Sequence, residues 1–150
     1  MNHPPIVYST NMTEALNVIM RWLHITSVVV LIGGVLYARL VVAPAVQALP
    51  GPQQDTLGDA MAARFRSLLY GALFFLLATG VYNLFMNLGR GPVYQALLGI
   101  KMLLVLHVMA VSFLIVKPAN PKRTRQLTGI IISGLVIIAI SAVLRQLHFE

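Results

Sequence analysis

The sequence predicts an all-α integral membrane protein, an up-down-up-down bundle of four helices in a single domain spanning residues 1–150. Hydrophobic residues make up 58% of the 150-residue chain and charged residues only 10%, more apolar surface than a soluble domain of this length can hide. The apolar residues fall into four runs, each near the roughly 20 residues needed to cross a hydrocarbon core about 30 Å thick. Proline and glycine separate the runs and leave short connections, which force consecutive helices to lie antiparallel.

The first helix is expected over 12–43. Asn11 can cap it, Glu14 three residues on complements the helix dipole, and Pro44 stops it. The second is expected over 58–88, most apolar from Phe65 onward. An amphipathic lead-in at 55–64 follows the Pro50-Gly51-Pro52 turn, and Gly89 and Gly91-Pro92 end the helix. The third runs over 93–116, stopped by Pro118 and Pro121, and the fourth over 125–147. Gly71, Thr79 and Gly80 on the second helix, with Gly129 and Ser133 on the fourth, read as packing surfaces that permit close backbone approach.

Arg39, Arg64, Arg66, Lys117, Lys122, Arg123 and Arg125 flank the first and third loops, whereas Arg21, Arg90 and Arg145 lie on the other side. Seven against three predicts a cytoplasmic position for those two loops and an outside position for both termini. The net charge of +7 therefore points to the lipid bilayer and its anionic headgroups, and no nucleic-acid partner is expected. Residues 1–10 are polar and proline-bearing and do not read as a signal peptide, so the first helix is expected to direct insertion.

With no cysteine, disulfides, iron–sulfur clusters and thiolate metal sites are excluded, and histidine and methionine remain as soft ligands. The four acidic residues, Glu14, Asp55, Asp59 and Glu150, lie outside the apolar cores, which argues against paired-carboxylate chemistry within the membrane.

Three ionisable residues fall inside the spans: His24, Lys101 and His107. Such groups are costly in hydrocarbon and suggest function. His24 shares a helix face with Ser27, Leu31, Gly34 and Ala38, where Gly33-Gly34 leaves room for a flat cofactor; alternatively it bonds headgroups or a neighbouring carbonyl near the interface. His107 lies near mid-membrane on a face with Ala96, Ile100, Leu103, Ala110 and Leu114. It needs a metal or a hydrogen-bond partner from another helix, such as Tyr70 or Ser133. Lys101 either snorkels outward or pairs with a carboxylate of a bound cofactor, a role open to Arg21 as well. His3 and His148 lie outside the core, although His148 shares the side of His24.

Imidazole is the commonest protein ligand of haem iron, and paired histidines on facing helices suit electron transfer. The resulting expectation is a membrane b-type haem protein of electron transfer or redox chemistry. His24 and His107 serve as metal ligands, Arg21 and Lys101 neutralise the propionates, and electrons pass to quinone, a larger membrane redox complex or a homo-oligomer. In upright helices the two histidines differ in depth by roughly 10 to 15 Å, so a shared iron requires stagger or tilt. The alternatives are a structural accessory subunit of a larger membrane complex and a copper transport or resistance protein. For copper, Met20 stands one turn before His24, and Met102 and Met109 share a face of the third helix.

Several pieces also line up in order: Arg21-Trp22-Leu23-His24 with Gly33-Gly34 and Tyr37, Arg64-Phe65, Thr79-Gly80, and Lys101 ahead of an aliphatic run. Over most of its length the chain resembles the group of small membrane proteins that includes the CopD domain and the HemJ-type protoporphyrinogen oxidases. The resemblance implies a four-helix core in a bacterial inner membrane, in which the outside position that the charge bias predicts for both termini is periplasmic. For the HemJ type it implies a haem-dependent oxidoreductase whose b-haem ligand corresponds to His24, with Lys101 matching the lysine that opens the third helix. The third-helix histidine of that type lies further beyond the lysine than His107 does.

Overall fold

The computed structural model describes residues 7–146, with side chains from residue 12 onward. Its elements are α1 (Val7–Tyr37), a π-helical turn (Ala38–Val42), α2 (Ala43–Gln47), α3 (Gly51–Phe85), α4 (Pro92–Ile115) and α5 (Arg123–Gln146). The first two helices and the turn between them form one continuous span, so four helices are long and apolar enough to cross a membrane: Met12–Gln47, Gly51–Phe85, Pro92–Ile115 and Arg123–Gln146. The protein is an all-α, four-span integral membrane protein.

The first span passes Pro44 instead of ending at 43. Proline lacks an N–H and its ring crowds the carbonyl four residues back. The π-turn absorbs both effects. The Ala43 N–H bonds to the Ala38 carbonyl, five residues back, and Pro44 then falls in the first turn of α2, where no N–H is required. At the other end the helix already begins at Val7, upstream of Asn11, whose side chain lies outside the described residues, as do His3, Leu147 and His148.

The second helix starts at Gly51, earlier than 58, because extended Pro50 (ψ 146°) enters it and Pro52 fits its first turn. It stops at Phe85, short of 88. Beyond that point Asn87 bonds back to the Asn83 carbonyl at 2.7 Å, and the Gln95 amide holds the Asn87 and Leu88 carbonyls at 3.1 and 2.8 Å. Asn120 organises the start of α5: its Oδ1 accepts the Lys122 N–H at 3.0 Å while its Nδ2 donates to the Leu114 carbonyl at 2.8 Å.

Cross-helix pairs run in opposite numerical directions, as antiparallel neighbours must. On the first and second spans these are Asn17 with Tyr82, His24 with Thr79 and Gly34 with Phe65; on the second and third, Tyr70 packs on Phe113 at 5.2 Å. The bundle has two unlike halves. Leu31, Val35, Leu69, Leu73, Val108 and Ile130 form a tight core in the half nearer the first and third loops, here called the basic end. In the half bearing the termini, by contrast, none of residues 12–26, 80–85 and 92–107 is buried.

Outward-facing Trp22, Phe74, Phe85 and Leu103 are 66–69% exposed within the chain, a belt that water would not tolerate and that lipid covers.

Candidate functional site

In the terminal half, His24 of α1 meets Thr79 of α3, with Nδ1 and Oγ1 2.8 Å apart. Thr79 is fully buried, and its hydroxyl donates its one proton to the Phe75 carbonyl at 2.6 Å, the back-bond that threonine makes within its own helix. When that proton stays on the back-bond, the oxygen accepts from the imidazole, a pairing that puts the His24 proton on Nδ1 and the lone pair on Nε2. This is the arrangement in which a protein fixes the tautomer of a ligating histidine through its second nitrogen.

Lys101 of α4 is half-buried and lies in the same terminal half of the bundle. Arg21 lies one turn from His24 toward the chain terminus and is exposed. Below them, buried Ser27 donates to the Leu23 carbonyl at 2.8 Å; above, Tyr82 donates to Asn17. The structure thus joins His24 to Thr79 across the first two spans, with Lys101 on the third span in the same half of the bundle.

His107 does not join them. It lies six residues beyond Lys101, about 9 Å further along α4 and turned by about 240° about the helix axis. That turn carries it to the exposed side, while its neighbour Val108 enters the core. Tyr70 packs at a tilt against Phe113 and Ser133 is buried; neither hydrogen-bonds His107.

In the sequence Thr79 reads as a packing residue, because nothing local shows that its hydroxyl lies opposite a histidine 55 positions away. Nor does the sequence show the pairing of Asp59 with Arg123 at the basic end. Arg123 Nη2 reaches Asp59 Oδ1 at 2.7 Å and the Lys117 carbonyl at 2.9 Å, while its Nε caps the Ile115 carbonyl at 3.0 Å. The same carboxylate accepts the N–H of Ala119 at 3.0 Å, holding that residue at a left-handed φ of 49°. The available signals were an acidic residue in an amphipathic lead-in and an arginine at a helix start, where its charge opposes the dipole.

Arg123→Met is expected to lower the thermal unfolding midpoint, followed by circular dichroism in detergent, more than Asp59→Asn does. Asparagine keeps an acceptor for Ala119, whereas methionine strips the carboxylate and two helix-end carbonyls of their donor. Added salt should narrow the difference, since both side chains are partly exposed.

Around this pair opens a cavity of about 900 Å³, bounded by the π-turn, α2, the start of α3 and the loop between α4 and α5. Among the described residues, no three His, Cys, Asp or Glu side chains converge as a metal-binding group.

Fold and site together define a four-span integral membrane protein with a polar cluster in its terminal half and an amphipathic cavity at its basic end. No family model matches the chain, and neither a curated protein nor a solved structure matches it significantly.

Proposed function

We propose that the protein is a membrane b-type haem protein of electron transfer, with His24 as iron ligand and Lys101 and Arg21 paired with the haem propionates. The observation that carries this reading is the His24 imidazole hydrogen-bonded to Thr79 of the neighbouring span, with Lys101 in the same half of the bundle. Two features suit such a group: a histidine oriented through one ring nitrogen, and a cation in the same half of the bundle for a carboxylate. Bound haem would supply reversible one-electron chemistry, leaving the protein to orient the imidazole, neutralise the propionates and limit access of water.

The resemblance to HemJ-type oxidases and CopD-domain proteins agrees at His24 and Lys101, and an oxidoreductase of the protoporphyrinogen type would be the enzymatic form of the same site. His107, exposed on α4, stands outside this haem site, at a position where a second copy, a larger redox complex or a quinone would meet the bundle. A copper route would rest on Met20 and His24 with Met102 and Met109 of the third span, and an accessory-subunit role on the wide apolar exterior. Orientation follows the charge bias: basic end cytoplasmic, termini periplasmic, in a bacterial inner membrane.

A reduced-minus-oxidised spectrum of protein purified from its native membrane is expected to show a b-type α band and Soret shift. Colourless protein from that source overturns the haem reading.

A further inference from the structure

The cavity at the basic end is unrelated to the His24 cluster, and its lining has two zones. Val46, Phe65, Leu68, Ile115 and Leu127 make an apolar floor, whereas Arg64, Arg123, Asp55 and Asp59 stand at the polar rim. Asp59 is neutralised by Arg123. Arg64 is exposed and makes no hydrogen bond among the described residues, and Arg123 leaves Nη1 unused beside Gly58, where a Cβ would come within 3.2 Å of it. Seven basic residues and two acidic ones, Asp55 and Asp59, occupy this end of the bundle, so the field over the cavity is strongly positive.

The wall contributed by the first span includes the π-turn, through Ala38 and Val42. Single π-turns inside longer helices recur at functional sites. Here the turn carries the span past Pro44 while Tyr37 and Ala43 on either side of it also face the cavity.

We infer that this cavity binds an anionic phospholipid, its phosphate held by Arg64 and Arg123 Nη1 and one acyl chain lying on the apolar floor. A volume of about 900 Å³ far exceeds a free phosphate, and an apolar floor would be wasted on one. The ends of membrane spans are where headgroups meet hydrocarbon, and basic pockets between helices there recognise anionic lipid. The inference is independent of the haem reading.

The test is heat denaturation of the detergent-purified full chain titrated with dioleoyl phosphatidylglycerol, dioleoyl phosphatidylcholine or inorganic phosphate. Phosphatidylglycerol is expected to raise the midpoint saturably while the other two do not. Arg64→Gln should keep the lipid-free midpoint and weaken the response about tenfold, as loss of one charge-assisted contact predicts. Arg66→Gln, an exposed charge at the same end but outside the cavity lining, should respond as the unaltered protein does. Leu68→Trp, which narrows the floor, should also weaken the response. Equal effects of phosphatidylcholine, reproduction of the shift by phosphate alone, equal weakening by Arg66→Gln and Arg64→Gln, or no shift at all would each overturn the inference.

Discussion

His24→Ala is expected to abolish the b-type absorption of the purified protein, whereas His107→Ala is expected to leave it in place. The two histidines look alike in the sequence, each an imidazole inside an apolar run, but the bundle treats them differently. His24 is half-buried and oriented by Thr79; His107 sits on the exterior of α4 without a hydrogen bond among the described residues. An axial ligand must be held at one position, and only the first of these environments does that. Difference spectra normalised to protein, with circular dichroism to establish folding, separate the outcomes. Loss in both variants would mean that a neighbouring copy supplies His107 to the same iron, and loss in His107→Ala alone would move the ligand to α4.

Thr79 refines the same prediction. Thr79→Val preserves the shape of the side chain but removes the acceptor for Nδ1, so the imidazole loses both its tautomer control and its fixed angle. Haem affinity should fall by about 10- to 100-fold, the usual cost of losing a partner that orients a ligand, and Thr79→Ser should restore most of it. A Thr79→Val protein that binds haem unchanged would reduce the contact to packing.

Hydropathy made the four spans legible because a bilayer demands long apolar runs whatever their order in the chain. Their ends were less legible. Pro44 reads as a stop only if the helix keeps its ordinary hydrogen-bond spacing, and the π-turn at Ala38–Val42 changes that spacing just ahead of it. Gly51 and Pro52 read as a turn, yet a proline in a first helical turn starts α3 instead of preceding it. Candidate site residues were legible by type: His24 and Lys101 stand out because charge is rare inside spans.

Which residues meet was another matter. His24 with Thr79 and Asp59 with Arg123 are joined across 55 and 64 positions, and such pairings depend on how far one helix slides and turns against its neighbour. Helix phase decided the fate of His107: six residues after half-buried Lys101, a turn of about 240° carries it to the exposed side. The sequence carries no mark of the cavity, which exists only where the ends of all four spans come together.

Register also produces the sharpest stability contrast, at adjacent glycines. Gly33→Ala is expected to be neutral or stabilising by up to about 1 kcal/mol, because an added methyl meets no atom within 4 Å and the helix backbone becomes less costly to order. Gly34→Ala is expected to destabilise by about 1 to 3 kcal/mol, since the same methyl would lie 2.7 Å from Phe65 Cε2 and 3.0 Å from Cζ. The Phe65 ring packs against the core cluster and floors the basic-end cavity, so it can yield only by swinging into that space. Denaturation in mixed detergent and denaturant measures both variants under one condition. Adding Phe65→Leu to Gly34→Ala should recover most of the loss, because the two sites are coupled through one contact and their effects cannot simply add. If the double variant loses the sum of the single losses, the close approach of the first and second spans at Gly34 is not what sets their register.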